Sequence, residues 1–146
     1  MQNRSFILPT VLALTLSAAG CHQVPQSTAA SYEKGSISAA DQAAGSAVTV
    51  AQIGMPSTGW LVVHAVKDGK PDVSGSIGHV YVPAGPSSNV VVPLSAAVGP
   101  GEQVVAMLHL DTGNAKVFEF ANDAVQAHDN PVLRDGKPVM ATITLN

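Results

Sequence analysis

An all-β fold, an antiparallel immunoglobulin-like β-sandwich of about seven or eight strands, is predicted for residues 36–146. Three observations predict it. Runs rich in Val, Leu and Ile recur along the chain, Gly, Pro, Asp or Asn bounds each of them, and no stretch sustains a helical apolar period. A small β-barrel is the alternative reading of the same pattern. With 13 Gly, 10 Pro and 12% charged residues, 146 residues suit one turn-rich domain. Net charge is −3, so attraction to nucleic-acid phosphates is not expected. Cys21 is the only cysteine, which excludes an internal disulfide and a thiolate zinc site.

Ahead of the domain, residues 1–20 read as a signal peptide. Arg4 supplies the positive start, Phe6 to Leu16 the short apolar core, and Leu16-Ser17-Ala18-Ala19-Gly20-Cys21 the small-residue cleavage zone. The Ala18-Ala19-Gly20-Cys21 ending resembles the bacterial lipobox. That resemblance implies cleavage before Cys21, a diacylglycerol on its sulfur and a further acyl chain, such as palmitate, on its amine. Several chains on one residue exceed the single-chain limit at which membrane binding is marginal. The alternative is an ordinary cleaved signal that leaves a free secreted cysteine, and either route exports the protein. His22, where an aspartate would resemble an inner-membrane retention signal, points to the outer membrane in a cell that has two. Residues 21–35 then form the lipidated cysteine and a flexible tether, too polar and small-sided to bury a face.

Within the domain, Ser36 to Ala40 has two local readings. Ser38-Ala39-Ala40-Asp41 resembles a helix capping box, whereas Gly35-Ser36-Ile37-Ser38 can open an edge strand, and the local signals favour the helix. Ala47 to Ile53 alternates as a strand and closes at Gly54-Met55-Pro56, where Met55 is expected as a hydrophobic plug. Trp60 to Val66 is apolar on both parities except at His64, the pattern of a central strand, and Trp60 is the candidate core tryptophan. Asp68-Gly69-Lys70-Pro71 turns the chain. Ile77 to Val82 ends at Pro83, Asn89 to Leu94 follows a Gly85-Pro86 turn, and Val139 to Leu145 closes the domain after a second Asp-Gly-Lys-Pro at Asp135 to Pro138. Between Ala121 and Pro138 a polar loop is expected.

Gln103 to Phe120 carries the strongest local signal. Its apolar flanks and the central Asp111-Thr112-Gly113-Asn114 predict a β-hairpin, with His109 facing Lys116 and Met107 facing Phe118 for a two-residue loop. Asp111 is then the turn residue whose carboxylate accepts backbone N–H groups.

Gly59-Trp60-Leu61-Val62-Val63-His64, Ile77-Gly78-His79-Val80, Val105 to Gly113, Phe118-Glu119-Phe120 and Asp129-Asn130-Pro131-Val132 occur in this order. Together they resemble a domain of unknown function found in bacterial envelope lipoproteins and haloarchaeal surface proteins. The likeness spans about residues 36–146 and includes an Asp-Gln pair after a first strand, here Asp41-Gln42. It implies a β-sandwich outside the cytoplasm, selects the strand reading for Ser36 to Ala40, and brings no activity with it.

Two functional readings follow. The first is a non-enzymatic interaction or accessory module of the cell envelope, anchored to the membrane through Cys21, with envelope proteins as partners and no cofactor. No nucleophile elbow, phosphate loop or carboxylate pair argues for an enzyme. The second is a copper or zinc protein whose ligands come from His64, His79, His109 and Asp111, because imidazole nitrogens and a carboxylate suit those ions. Met107 is assigned to the opposite sheet face from His109 and left out of that set. Otherwise each strand histidine is structural, hydrogen-bonded through its ring to a carbonyl or carboxylate.

Overall fold

A computed structural model describes residues 33–120 and 128–146. The signal peptide, Cys21 and most of the tether lie outside the described residues, as do residues 121–127 of the polar loop. In chain order the strands are β1 (Ser36–Ser38), β2 (Gly45–Met55), β3 (Gly59–Lys67), β4 (Lys70–Pro71), β5 (Gly78–Val82), β6 (Gly85–Val98), β7 (Gln103–Leu110), β8 (Leu133–Arg134), β9 (Lys137–Pro138) and β10 (Met140–Thr144). One sheet has the order β1-β2-β6. The other runs β10-β7-β3, and β5 and then β4 pair along the remaining edge of β3. Every named strand pair is antiparallel, and neither sheet closes into a barrel.

Alternation places the core between the two sheets. Val48, Val50 and Val92 point inward from one, and Leu61, Val63, Val104, Ala106, Leu108 and Ile143 from the other. Met55 joins them as the expected plug. Asp41-Gln42 ties the layers together. The Asp41 carboxylate accepts the Thr144 N–H of β10 at 2.7 Å, while the Gln42 amide exchanges two hydrogen bonds with the Thr49 backbone of β2.

Both Asp-Gly-Lys-Pro segments fold alike. Asp68 and Gly69 (φ 51° and 73°) link β3 to β4, and Asp135 and Gly136 (φ 53° and 77°) link β8 to β9. Positive φ at both central residues is what a two-residue hairpin loop requires to match strand twist. Strand β6 is longer than expected. Gly85-Pro86 pairs with Met55 and Gly54 inside it, and β6 lies at the sheet edge, where a proline costs no ladder bond.

Two expectations are overturned. The hairpin at Gln103 to Phe120 does not form: its first arm is β7, but residues 111–120 hold no strand. Both edges of β7 are occupied, by β3 on one side and β10 on the other, so Met107 pairs with Val62 and Met140 rather than Phe118. The chain after Leu110 instead bonds to its own carboxylates. Asp111 accepts the Lys116 N–H, and Glu119 accepts the Asn114 N–H at 2.7 Å. Trp60, second, is buried but outside the sandwich core. With Val62 and His64 it lies on the outer face of β3, against Tyr81 and Phe118.

The closeness of β3 and β7 is set at Gly59. A Cβ there would overlap the His109 carbonyl oxygen and crowd the Met55 methyl group, whereas a Cβ at Gly45 would meet nothing within 4 Å. Gly59→Ala is therefore expected to cost about 3 kcal/mol or to prevent folding, and Gly45→Ala to change stability by less than about 0.5 kcal/mol. Urea titration of the two variants checks this, and equal midpoints would contradict the close approach.

Candidate functional site

Antiparallel pairing of β3 with β7 sets three rows on the outer sheet face: Trp60 beside His109, Val62 beside Met107, and His64 beside Val105. The two histidines lean toward each other along these rows. Their Nε2 atoms are 3.5 Å apart, and both residues are fully buried. Each ring is held at its other nitrogen. His64 Nδ1 donates to the Gly75 carbonyl at 2.7 Å, with the Asp72 carbonyl at 3.2 Å, and His109 Nδ1 donates to the Asp129 carbonyl at 2.6 Å. A carbonyl oxygen only accepts, so both Nδ1 atoms carry protons. In the neutral rings the two Nε2 lone pairs then face each other. Burial pushes the His109 pKa from 6.5 down to about 4; the Asp129 carbonyl works against that shift, and neighbouring His64 adds to it.

Loops bring in the supporting carbonyls. Asp72 shapes the Asp72 to Ser76 turn through bonds from Ser74 N and Oγ and an ion pair with Lys67 at 2.5 Å. Lys67 and Ser74 hold its carboxyl well below the usual carboxylate range. Asp129 is fully buried with φ 48°. Its carboxylate accepts the Thr112 N–H at 2.8 Å and the Glu119 N–H at 2.7 Å, while its own N–H donates to Thr112 Oγ1. One side chain thus pins both ends of the segment that covers the histidines. Phe120 stands edge-on to His109, its centroid 4.6 Å away, and Phe118 fills the space between Trp60 and His79.

Of the sequence-predicted ligands, the structure brings together His64 and His109. His79 is exposed, lies against Phe118 and Trp60, and has Nδ1 3.3 Å from the Ser76 hydroxyl. Asp111 lies beyond the end of β7 and is committed to the Lys116 N–H. Among the described residues no three His, Cys, Asp or Glu side chains gather in a metal-binding group. Met107 reverses its assignment. Two residues from His109, it shares that face, and its row lies between those of the two histidines. Asp129 is the residue that sequence reasoning missed; inside a polar His-Asp-Asn-Pro stretch, only its place before the Asn130-Pro131 turn hinted at a fixed backbone. Cys21 lies outside the described residues.

The motifs that carry these contacts fall within residues 35–146, which match the family model described as Domain of unknown function (DUF7282). The chain belongs to this family. No curated protein and no solved structure matches it. In this DUF7282 domain a concavity of about 420 Å³, apart from the histidine pair, is lined by Ala65, Ile77, Val98 and Val104. Its one carboxylate, Glu102, accepts the Gly99 N–H at 2.6 Å.

Two outcomes test the account of the histidine pair. The unfolded chain takes up a proton at His109 near pH 6.5 and the folded domain only near pH 4. The stability this confers, about 3 kcal/mol, is therefore complete above pH 6.5 and is lost as pH falls to about 4. Urea midpoints at pH 7 and pH 4.5 should differ accordingly, and His109→Gln should flatten the difference. Asp129→Ala should cost about 3 kcal/mol in the same assay at pH 7, because two part-buried N–H groups lose a charged, fully buried acceptor.

Proposed function

We propose that this chain is a lipid-anchored cell-envelope protein whose DUF7282 domain is a non-enzymatic interaction or accessory module held close to the bilayer. The observation that carries the non-enzymatic reading is the use to which the acidic side chains are put. Asp41, Asp72, Glu102, Asp111, Glu119 and Asp129 each accept a backbone N–H of the domain itself. Carboxylates spent on main-chain donors stabilise a scaffold; acid–base work needs one aimed at a substrate. The anchor reading is supported by the lipobox resemblance at Ala18-Ala19-Gly20-Cys21 behind an apolar segment. Resemblance to domains of bacterial envelope lipoproteins and haloarchaeal surface proteins supports the same location, with the outer membrane favoured by His22 in a cell that has two membranes. A tether of residues 21–35, about 20 Å end to end by square-root scaling, keeps the domain near the bilayer, so envelope proteins close to the membrane are its expected partners.

Metabolic labelling with palmitate and membrane fractionation test the anchor. The wild-type chain is expected to incorporate label and to stay with membranes through a high-salt wash, whereas Cys21→Ser should lose the label and enter the soluble extracytoplasmic fraction. A Cys21→Ser chain that still sediments with membranes would refute lipid anchoring.

A further inference from the structure

We infer that His64 and His109, with Met107 beneath them, form a binding site for a single monovalent copper ion. The inference stands apart from the lipid anchor and rests on the geometry of the pair. Two ring nitrogens that have given their protons' positions to carbonyls present two lone pairs 3.5 Å apart, and lone pairs cannot bond each other. A cation shared between them resolves the conflict. With metal–imidazole bonds of about 2.0–2.1 Å, this separation subtends an angle of about 120° at the ion, that of a three-coordinate centre. Met107 occupies the row between the histidines on the same face, and its thioether is assigned as the third donor.

The choice of ion follows from charge and donor number. Both nitrogens and the sulfur are neutral, and among the described residues the carboxylates of Asp111 and Asp129, on the elements that flank the pair, are bound to backbone N–H groups. A divalent ion would enter a buried, aromatic-walled site to which the described residues bring no anionic ligand, and desolvation cost grows steeply with charge. Zn(II) also asks for four donors, which the described residues do not supply. Cu(I) accepts few donors and favours thioether and imidazole. Carbonyl bonds at each Nδ1–H are the outer-shell support by which proteins orient metal-binding imidazoles. Phe120, its ring centroid 4.6 Å from that of His109, walls the site with apolar surface.

The test uses the full chain without a histidine tag and with Cys21→Ser, so that no thiol competes. Under anaerobic conditions Cu(I) is titrated against a chromophoric Cu(I) chelator, and Trp60, the only tryptophan and the row neighbour of His109, reports occupancy by fluorescence. One equivalent is expected, with copper X-ray absorption showing two nitrogen neighbours and one sulfur. His64→Gln and His109→Gln should each weaken binding at least 100-fold, Met107→Leu about 10-fold, and His79→Gln not at all. Zn(II) at the same concentration should be lost on desalting. Less than a tenth of an equivalent of Cu(I) retained, undiminished binding in a folded His64→Gln/His109→Gln chain, or an absorption spectrum without the two nitrogens would overturn the site. The spectrum is taken on chain with all three ligands intact, so it decides even where the histidine variants fail to fold.

Discussion

Strand β3 must bury both of its faces, and the rest of the structure answers to that constraint. Leu61 and Val63 enter the sandwich core, while Trp60, Val62 and His64 emerge on the other side of the sheet, where no second sheet waits. Leaving Trp60 and Val62 in water would forgo several kcal/mol of burial, at roughly 1.5–3 kcal/mol for each large apolar side chain. Residues 111–120 cross this face instead and lay Phe118 and Phe120 on it. A covering segment without a ladder has backbone donors to satisfy, and the carboxylates of Asp111, Glu119 and Asp129 satisfy them.

The same constraint fixes the histidines. A buried imidazole needs a partner for each ring nitrogen, and the turn at Asp72 to Ser76 and the reversal at Asp129 each supply a carbonyl. Asp129 joins cover and site: its side chain holds the covering segment and its carbonyl holds His109. Opening the cover therefore loosens one of the two rings, which couples access to the pair with the local stability of residues 111–120. The Nε2 atoms are left facing each other, on two residues that are fully buried.

Legibility in the sequence follows the range of the interaction. The Asp-Gly-Lys-Pro hairpins, the plug at Met55 and strands β2, β3, β5, β7 and β10 rest on turn chemistry and alternation within a few residues, and they could be read directly, whereas only the family resemblance selects β1 over a helix. The expected hairpin at Gln103 to Phe120 had the same local signals. It failed because β10, from the far end of the domain, takes the edge of β7 that the second arm would have used. Trp60 was legible as buried but not as belonging to the outer face, because a strand apolar on both parities does not say which side faces the other sheet.

By itself the sequence determined the all-β class, the places where the chain turns and the presence of histidines in strands otherwise apolar. Tertiary structure decided which strands pair, what covers the outer face and which histidines meet. The physical reason is separation along the chain. His64 and His109 are 45 residues apart and share no local pattern. Only the register of β3 against β7 puts their rows within reach of each other, and only the carbonyls of two distant loops turn their Nε2 atoms together.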